Sequence, residues 1–146
     1  MKEVNLYTDD ACKGNPGPGG YAAIVVYGVH EKVISEGFAQ TTNNRMELSA
    51  VIAGLSALKE RCIVNLYSDS KYVIDGLSKG WAKKWKANNW VKSDKQKALN
   101  PELWDQLLLL TDQHEMRYFW VKGHDGHAYN ERCDQLAVAA AERFAL

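Results

Sequence analysis

The chain has 146 residues, 46% of them hydrophobic and 25% charged, and a formal net charge of zero. This length fits one domain of roughly 150 residues, enough to bury about 68–70% of the unfolded surface without disulfides or metals. The composition excludes disorder. No apolar run reaches the roughly 18 residues of a membrane span, and Met1-Lys2-Glu3-Val4-Asn5 meets an acid too early for a secretory signal.

Val4 to Thr8 alternates and predicts a short strand. Gly14-Asn15-Pro16-Gly17-Pro18-Gly19-Gly20 is a run of breakers and predicts a turn closing a hairpin. It lacks both a Gly-Lys-Ser/Thr ending and GxGxxG, which excludes a nucleotide loop. Tyr21 to Tyr27 predicts a buried strand, and Val29 to Ala39 its antiparallel neighbour after a turn at Gly28. Leu48, Val51, Ile52, Leu55 and Leu58 share one helix face, with Thr42 or Asn43 as cap. Ile63 to Ser68 predicts a fourth strand, followed by short helices over Lys71 to Leu77 and Trp81 to Ala87. Pro101 opens a helix through Leu103, Leu107 and Leu110, and Met116 to Val121 is the last strand. Cys133, Leu136, Ala137, Ala140 and Phe144 mark a final helix. The order is β-β-β-α-β-α-α-α-β-α. Helical crossovers make the first, fourth and fifth strands parallel, while the opening hairpins are antiparallel, so the fold class is α/β with a mixed sheet. No repeat or linker divides it, so residues 1–146 read as one domain.

Charge and cysteines add two expectations. Residues 79–97 hold seven lysines and one acid, Asp94, a local balance of +6 that leaves −6 for the rest. An acidic body with one basic stretch predicts two separate functional surfaces. Cys12, Cys62 and Cys133 are odd in number and form no CxxC or zinc spacing, which predicts buried reduced thiols and a cytoplasmic location. Trp104 and Trp120 are expected in the core, and His30 and His114 on the surface.

Acids fall where chemistry could use them. Asp9 follows the first strand and Asp69 the fourth, so in adjacent parallel strands both carboxylates leave the same carboxyl edge. Glu47 lies early in the first helix and Asp134 early in the last, each able to reach that edge. Single acids at such places are commonly helix caps. Four together would repel and protonate unless a cation were present. An oxygen-only set selects Mg²⁺ or Mn²⁺, and two such ions about 3.5–4 Å apart would bracket a scissile phosphate.

The motifs Tyr7-Thr8-Asp9, Cys12-Lys13-Gly14-Asn15-Pro16-Gly17-Pro18-Gly19-Gly20, Thr41-Thr42-Asn43-Asn44-Arg45-Met46-Glu47-Leu48, Ser68-Asp69-Ser70, Trp120-Val121-Lys122-Gly123-His124 and Asn130-Glu131-Arg132-Cys133-Asp134 occur in this order. With them the chain resembles bacterial ribonuclease HI, the type 1 ribonuclease H, along essentially its whole length. The resemblance implies a ribonuclease H-like fold: a five-stranded mixed sheet, three antiparallel strands then two parallel, with helices on both faces. It implies a monomeric endonuclease that cuts the RNA strand of RNA–DNA hybrids with two Mg²⁺ ions, Mn²⁺ being a possible substitute, and leaves 5′-phosphate and 3′-hydroxyl ends. By the same resemblance Asp9 bridges both ions, Asp134 helps hold the ion carrying the attacking water, and Glu47 and Asp69 hold the ion facing the leaving group. His124 serves proton transfer or product release, a role that an imidazole titrating near pH 6.5 suits. His127 is expected to be a structural partner at the start of the last helix.

For the substrate, the resemblance places Asn15, Asn43 and Asn44 beside the hybrid's minor groove, with Cys12 offering backbone contacts. Thr42 and Asn100 resemble the pair that binds a DNA phosphate. Residues 79–97 resemble the family's basic handle, where Lys84, Lys86 and Trp81 would grip the hybrid, as would Lys71 outside it. Packing the handle's own small core is the competing role for its tryptophans. Asp10 departs from the pattern, standing where the family usually has glycine. The expectation is that its charge beside Asp9 weakens substrate binding or alters metal preference without abolishing activity. Two other readings are a DNA resolvase or transposase-type nuclease, which the asparagines and the handle oppose, and a binding module without catalysis, which the complete acid set opposes.

Overall fold

The computed structural model describes residues 1–122 and 127–145. Strands β1 (Lys2–Cys12), β2 (Gly17–Tyr27) and β3 (His30–Thr41) are followed by helix α1 (Asn43–Ser56) and strand β4 (Cys62–Ser68). Then come α2 (Lys71–Ser78), α3 (Trp81–Ala87), α4 (Pro101–Thr111), β5 (Glu115–Trp120) and α5 (Ala128–Glu142). The sheet order is β3-β2-β1-β4-β5, with β1/β2 and β2/β3 antiparallel and β1/β4 and β4/β5 parallel. This is the ribonuclease H-like fold that the motifs imply, and the element order agrees.

The faces of the sheet follow from alternation along the strands. On one side, Val4, Leu6, Val64 and Leu66 pack with Leu48, Val51, Leu55, Val73 and the fully buried Trp104, joining α1, α2 and α4 into the main core. On the other side, Tyr7, Ala22 and Ile24 meet Cys133 and Ala137 of α5. Helix α1 starts at Thr42, whose hydroxyl accepts from Arg45 N at 3.2 Å, and α2 at Ser70, which accepts from Val73 N.

Several expectations are corrected. The turn in the glycine–proline run spans only residues 13–16, since Gly17 to Gly20 already belong to β2. A Cβ at Gly20 would lie 2.7 Å from the Ala137 carbonyl oxygen and 2.8 Å from Ala140 Cβ, so glycine there lets α5 lie flat on the sheet. Phe144 lies beyond the end of α5 and is exposed. Trp120 is 45% exposed rather than core, because it ends an edge strand. His114 is buried, held by a hydrogen bond that its Nδ1 accepts from Cys62 N. Cys62 and Cys133 are buried, but Cys12 is only half-buried, and all three are free. No helix among the described residues is long and apolar enough to cross a membrane.

Gly20→Ala should cost about 1–3 kcal/mol through overpacking against α5. Urea unfolding should show a lower midpoint at an unchanged slope.

Candidate active site

The last parallel pair of β1 and β4 is Tyr7 with Tyr67. Asp9 and Asp69 each lie two residues further on, so the register itself sets them side by side. Asp10 extends the cluster, and carboxylate oxygens of Asp9, Asp10 and Asp69 lie within 4.8 Å of one another. Glu47 from α1 and Asp134 from α5 complete a cleft of about 310 Å³, also lined by Asn43, Lys122, His127 and Asn130. The four acids expected from the sequence thus line one cleft, where Asp10 and Glu131 join them. His124 lies outside the described residues.

Hydrogen bonds fix these acids in place. Asp9 Oδ1 accepts from the Asp10 N–H at 2.8 Å. Ser70 Oγ donates to Glu47 Oε2 at 2.6 Å while also capping α2, which ties α1 to the strand end. Trp120 Nε1 donates to the Asp69 carbonyl at 2.9 Å, and Lys71 Nζ sits 4.6 Å from the centre of its indole ring. The roles of Ser70 and Trp120 join residues far apart in the chain, and no local pattern signals them. Among the described residues, the buried Asn130 Oδ1 has no hydrogen-bond partner.

The electrostatics match a site built for cations. Burial and then the Asp69 charge push Asp9 up to about 7, against the pull of the Asp10 N–H. Asp10 is also raised, by burial first and then by Glu47, with which it shares a hydrogen bond. Glu47 is raised by burial, opposed by the Ser70 hydroxyl. A divalent ion would relieve this repulsion. The donors are hard carboxylate oxygens, with no sulfur or imidazole in the group within 4.8 Å, so the residues fit Mg²⁺ or Mn²⁺.

Of the residues expected to contact substrate, Asn43 lines the cleft. Asn15 Oδ1 accepts from Asn43 N at 3.1 Å, docking the β1–β2 turn on the start of α1. Asn43 is exposed and Asn44 half-buried. Cys12 Sγ lies 2.8 Å from the Gly14 carbonyl oxygen and closes that turn. Asn100, in a left-handed conformation at φ 57°, accepts through Oδ1 from Arg45 at 3.1 Å. Arg45 in turn pairs with Glu102 at 2.7 Å, and the asparagine amide N–H₂ is left for another acceptor. The handle residues are not brought into the acid cleft. Trp81 and Lys84 line a second groove with Trp85, Asn88 and Lys92, while Lys86 pairs with Asp105 at 2.7 Å. Trp85 and Trp90 pack on the main core, whereas Trp81 is exposed with Lys79 Nζ 5.2 Å from its ring centre.

A carboxylate cleft that could hold metal ions, at the carboxyl edge of this mixed sheet, is the arrangement of the ribonuclease H-like class. The sequence matches the RNase H family over residues 1–142. It is 59% identical over 143 residues to ribonuclease H of Desulforamulus reducens, covering 98% of this chain and 90% of that protein. The fold is similar to that of LC9-RNase H1, a type 1 RNase H with the type 2 active-site motif. The TM-score is 0.86 at 31% identity, over 99% of this chain and 74% of the other. It is also similar to LC11-RNase H1, solved in complex with an RNA/DNA hybrid, with a TM-score of 0.64 at 19% identity over 96% and 97% of the two chains. The chain belongs to the RNase H family.

The raised Asp9 has a consequence for stability. The folded protein keeps its proton up to about pH 7, whereas the unfolded chain releases it near the ordinary value of 3.8. Between those values the folded state binds more protons, so stability falls as pH rises. In EDTA, Asp9→Asn should therefore melt at least about 3 °C above the parent at pH 8. At pH 5 the gap should shrink, as paired thermal melts at the two pH values would show.

Proposed function

We propose that this chain hydrolyses the RNA strand of RNA–DNA hybrids, with two Mg²⁺ ions in the carboxylate cleft, leaving 5′-phosphate and 3′-hydroxyl ends. The observation that carries the reading is the meeting of Asp9 and Asp69 from adjacent parallel strands with Glu47 and Asp134 in one cleft. The hybrid bound by LC11-RNase H1, which shares the fold, supports the choice of substrate. Divalent ions bound there activate water and stabilise the leaving oxygen.

The chain's own residues supply position. Asp9 is the central ligand, flanked by Asp134 on the α5 side and by Glu47 and Asp69 on the other. Ser70 locks the Glu47 rotamer, and Trp120 holds the backbone at Asp69. His124 keeps the proton-transfer role that the resemblance gives it.

Recognition is a matter of hydroxyls and phosphates. An RNA 2′-hydroxyl both donates and accepts, which suits the amides of Asn15, Asn43 and Asn44. The Asn15 Oδ1 is already engaged by the α1 backbone, so its N–H₂ group faces the substrate as donor. Cys12 holds the turn that presents them. Thr42 and Asn100, braced by Arg45, take a phosphate of the DNA strand. Lys71, Lys84, Lys86 and Trp81 extend the grip through charge and stacking. The protein acts as a monomer in the cytoplasm, a reducing compartment that suits its three free thiols.

Labelled RNA–DNA hybrid, double-stranded RNA, double-stranded DNA and single-stranded RNA, each in Mg²⁺ and in Mn²⁺, test this. Only the hybrid's RNA strand should be cut. Asp9→Asn should lose at least ~10³-fold, roughly 4 kcal/mol of transition-state stabilisation. Cleavage of any other substrate at a comparable rate would overturn the reading. Lys84→Ala should raise KM several-fold with kcat unchanged and lower the salt slope of binding by about one.

A further inference from the structure

Asp10 and Glu131 are cleft carboxylates to which the four-acid scheme gives no work, and of the two it is Asp10 that lies in the close group with Asp9 and Asp69. Its backbone is ordinary extended strand, paired with Tyr21, and its φ is not among the positive ones, so an aspartate fits here without strain. Along β1 the side chains alternate: Leu6 faces the α1 core, and Tyr7 faces α5. Asp9 follows the parity of Tyr7, and its partner Ala22 packs toward α5. Asp10 follows the parity of Leu6, and its partner Tyr21 packs against Met46 and Ala50 of α1. The two successive carboxylates therefore straddle the sheet edge, one on each side, with Asp69 close to both.

Glu47, the acid that α1 itself provides, accepts from the Ser70 hydroxyl at 2.6 Å and shares a hydrogen bond with Asp10. The three oxygens close enough to share one ion come from Asp9, Asp10 and Asp69. We infer that Asp10 is a direct ligand of the divalent cation on the α1 side of the cleft, sharing that place with Glu47. The inference rests on the metal-dependent nuclease reading above. Mg²⁺ is usually held by one or two protein carboxylates together with substrate phosphates. With Asp9, Glu47 and Asp69 already assigned to this side, Asp10 adds a fourth protein carboxylate and takes a coordination place that a substrate phosphate or water otherwise fills.

Calorimetric titration of Mn²⁺ and of Mg²⁺ into the protein without nucleic acid tests this, comparing the parent, Asp10→Asn, Glu47→Gln and the double variant. Asparagine preserves shape and removes the charge. Loss of a direct ligand should weaken the first ion at least about tenfold, the lower bound even for outer partners of metal ligands. Because Asp10 and Glu47 serve one ion, the two single losses should not add in the double variant. Parent-like or tighter binding by Asp10→Asn would overturn the inference, as would simple additivity. Circular-dichroism melts in EDTA separate a folding defect from a lost ligand. If Asp10→Asn melts below the titration temperature, Asp10→Gly serves in its place. Hybrid cleavage by the parent beside parent-like Mn²⁺ binding by Asp10→Asn would sink the Asp10 assignment alone. Tight Mn²⁺ binding through Asp10 in a parent that cuts no hybrid would sink the functional reading instead.

Discussion

The parallel pairing of β1 with β4 is the constraint on which the rest depends. Parallel neighbours cannot be joined by a tight turn, so the chain must cross over through helical structure, and α1 makes that crossing. The crossing does two things at once. It returns the chain so that Asp69 emerges beside Asp9, and it carries Glu47 over the same edge. Burial, and then the Asp69 charge that register sets beside it, push Asp9 up to about 7. The fold thus supplies the geometry, and the resulting electrostatic strain makes a cation the natural complement.

Helix α5 is held to the opposite face by smallness rather than by bulk. Gly20 and Gly37 leave room for its backbone, and Ala137, Ala140 and Cys133 face the sheet. Beside them runs a stack of rings, Phe119 on Tyr67, Tyr67 on Tyr7 and Tyr7 on Tyr129, with centroids 4.9, 5.0 and 4.5 Å apart. This stack links the edge strand to the start of α5. A helix seated this closely has little freedom to slide, and Asp134 on its second turn inherits that precision.

Legibility in the sequence followed the range of the interaction. Periodicity and breakers located every element, because those signals are local: Leu48 to Leu58 for α1, Pro101 for α4. The four acids could be read because a strand end and a helix start are places that the sequence itself marks. Long-range facts were not readable. Trp120 looks like core by type, yet it ends an edge strand and turns its indole N–H to the Asp69 carbonyl. His114 looks like a surface histidine, yet it accepts from the Cys62 backbone 52 residues away. Gly17 to Gly20 look like a loop, because nothing in the sequence shows their strand pairing or the helix that presses on Gly20. Ser70 can be read as a cap of α2, but its bond to Glu47 depends on how α1 crosses the sheet.

The first turn of α1 is where chemistry and recognition become one rigid body. Thr42 caps the helix, and Asn43 accepts no freedom of its own once its backbone N–H is given to Asn15. Arg45 reaches Asn100 and Glu102 at the start of α4, and Glu47 points into the acid cleft. Residues 42–47 therefore join the β1–β2 turn, the start of α4 and the acid cleft within a single stretch of backbone. On the proposed function, a phosphate at Asn100 and a hydroxyl at Asn15 would stand at fixed distances from the carboxylates, because α1 is bonded to both residues and carries Glu47. The lysines of α3 carry no such registration, since α3 contributes nothing to the cleft lining. On that reading they would supply attraction, while the choice of which bond is cut would belong to α1 and the paired ends of β1 and β4.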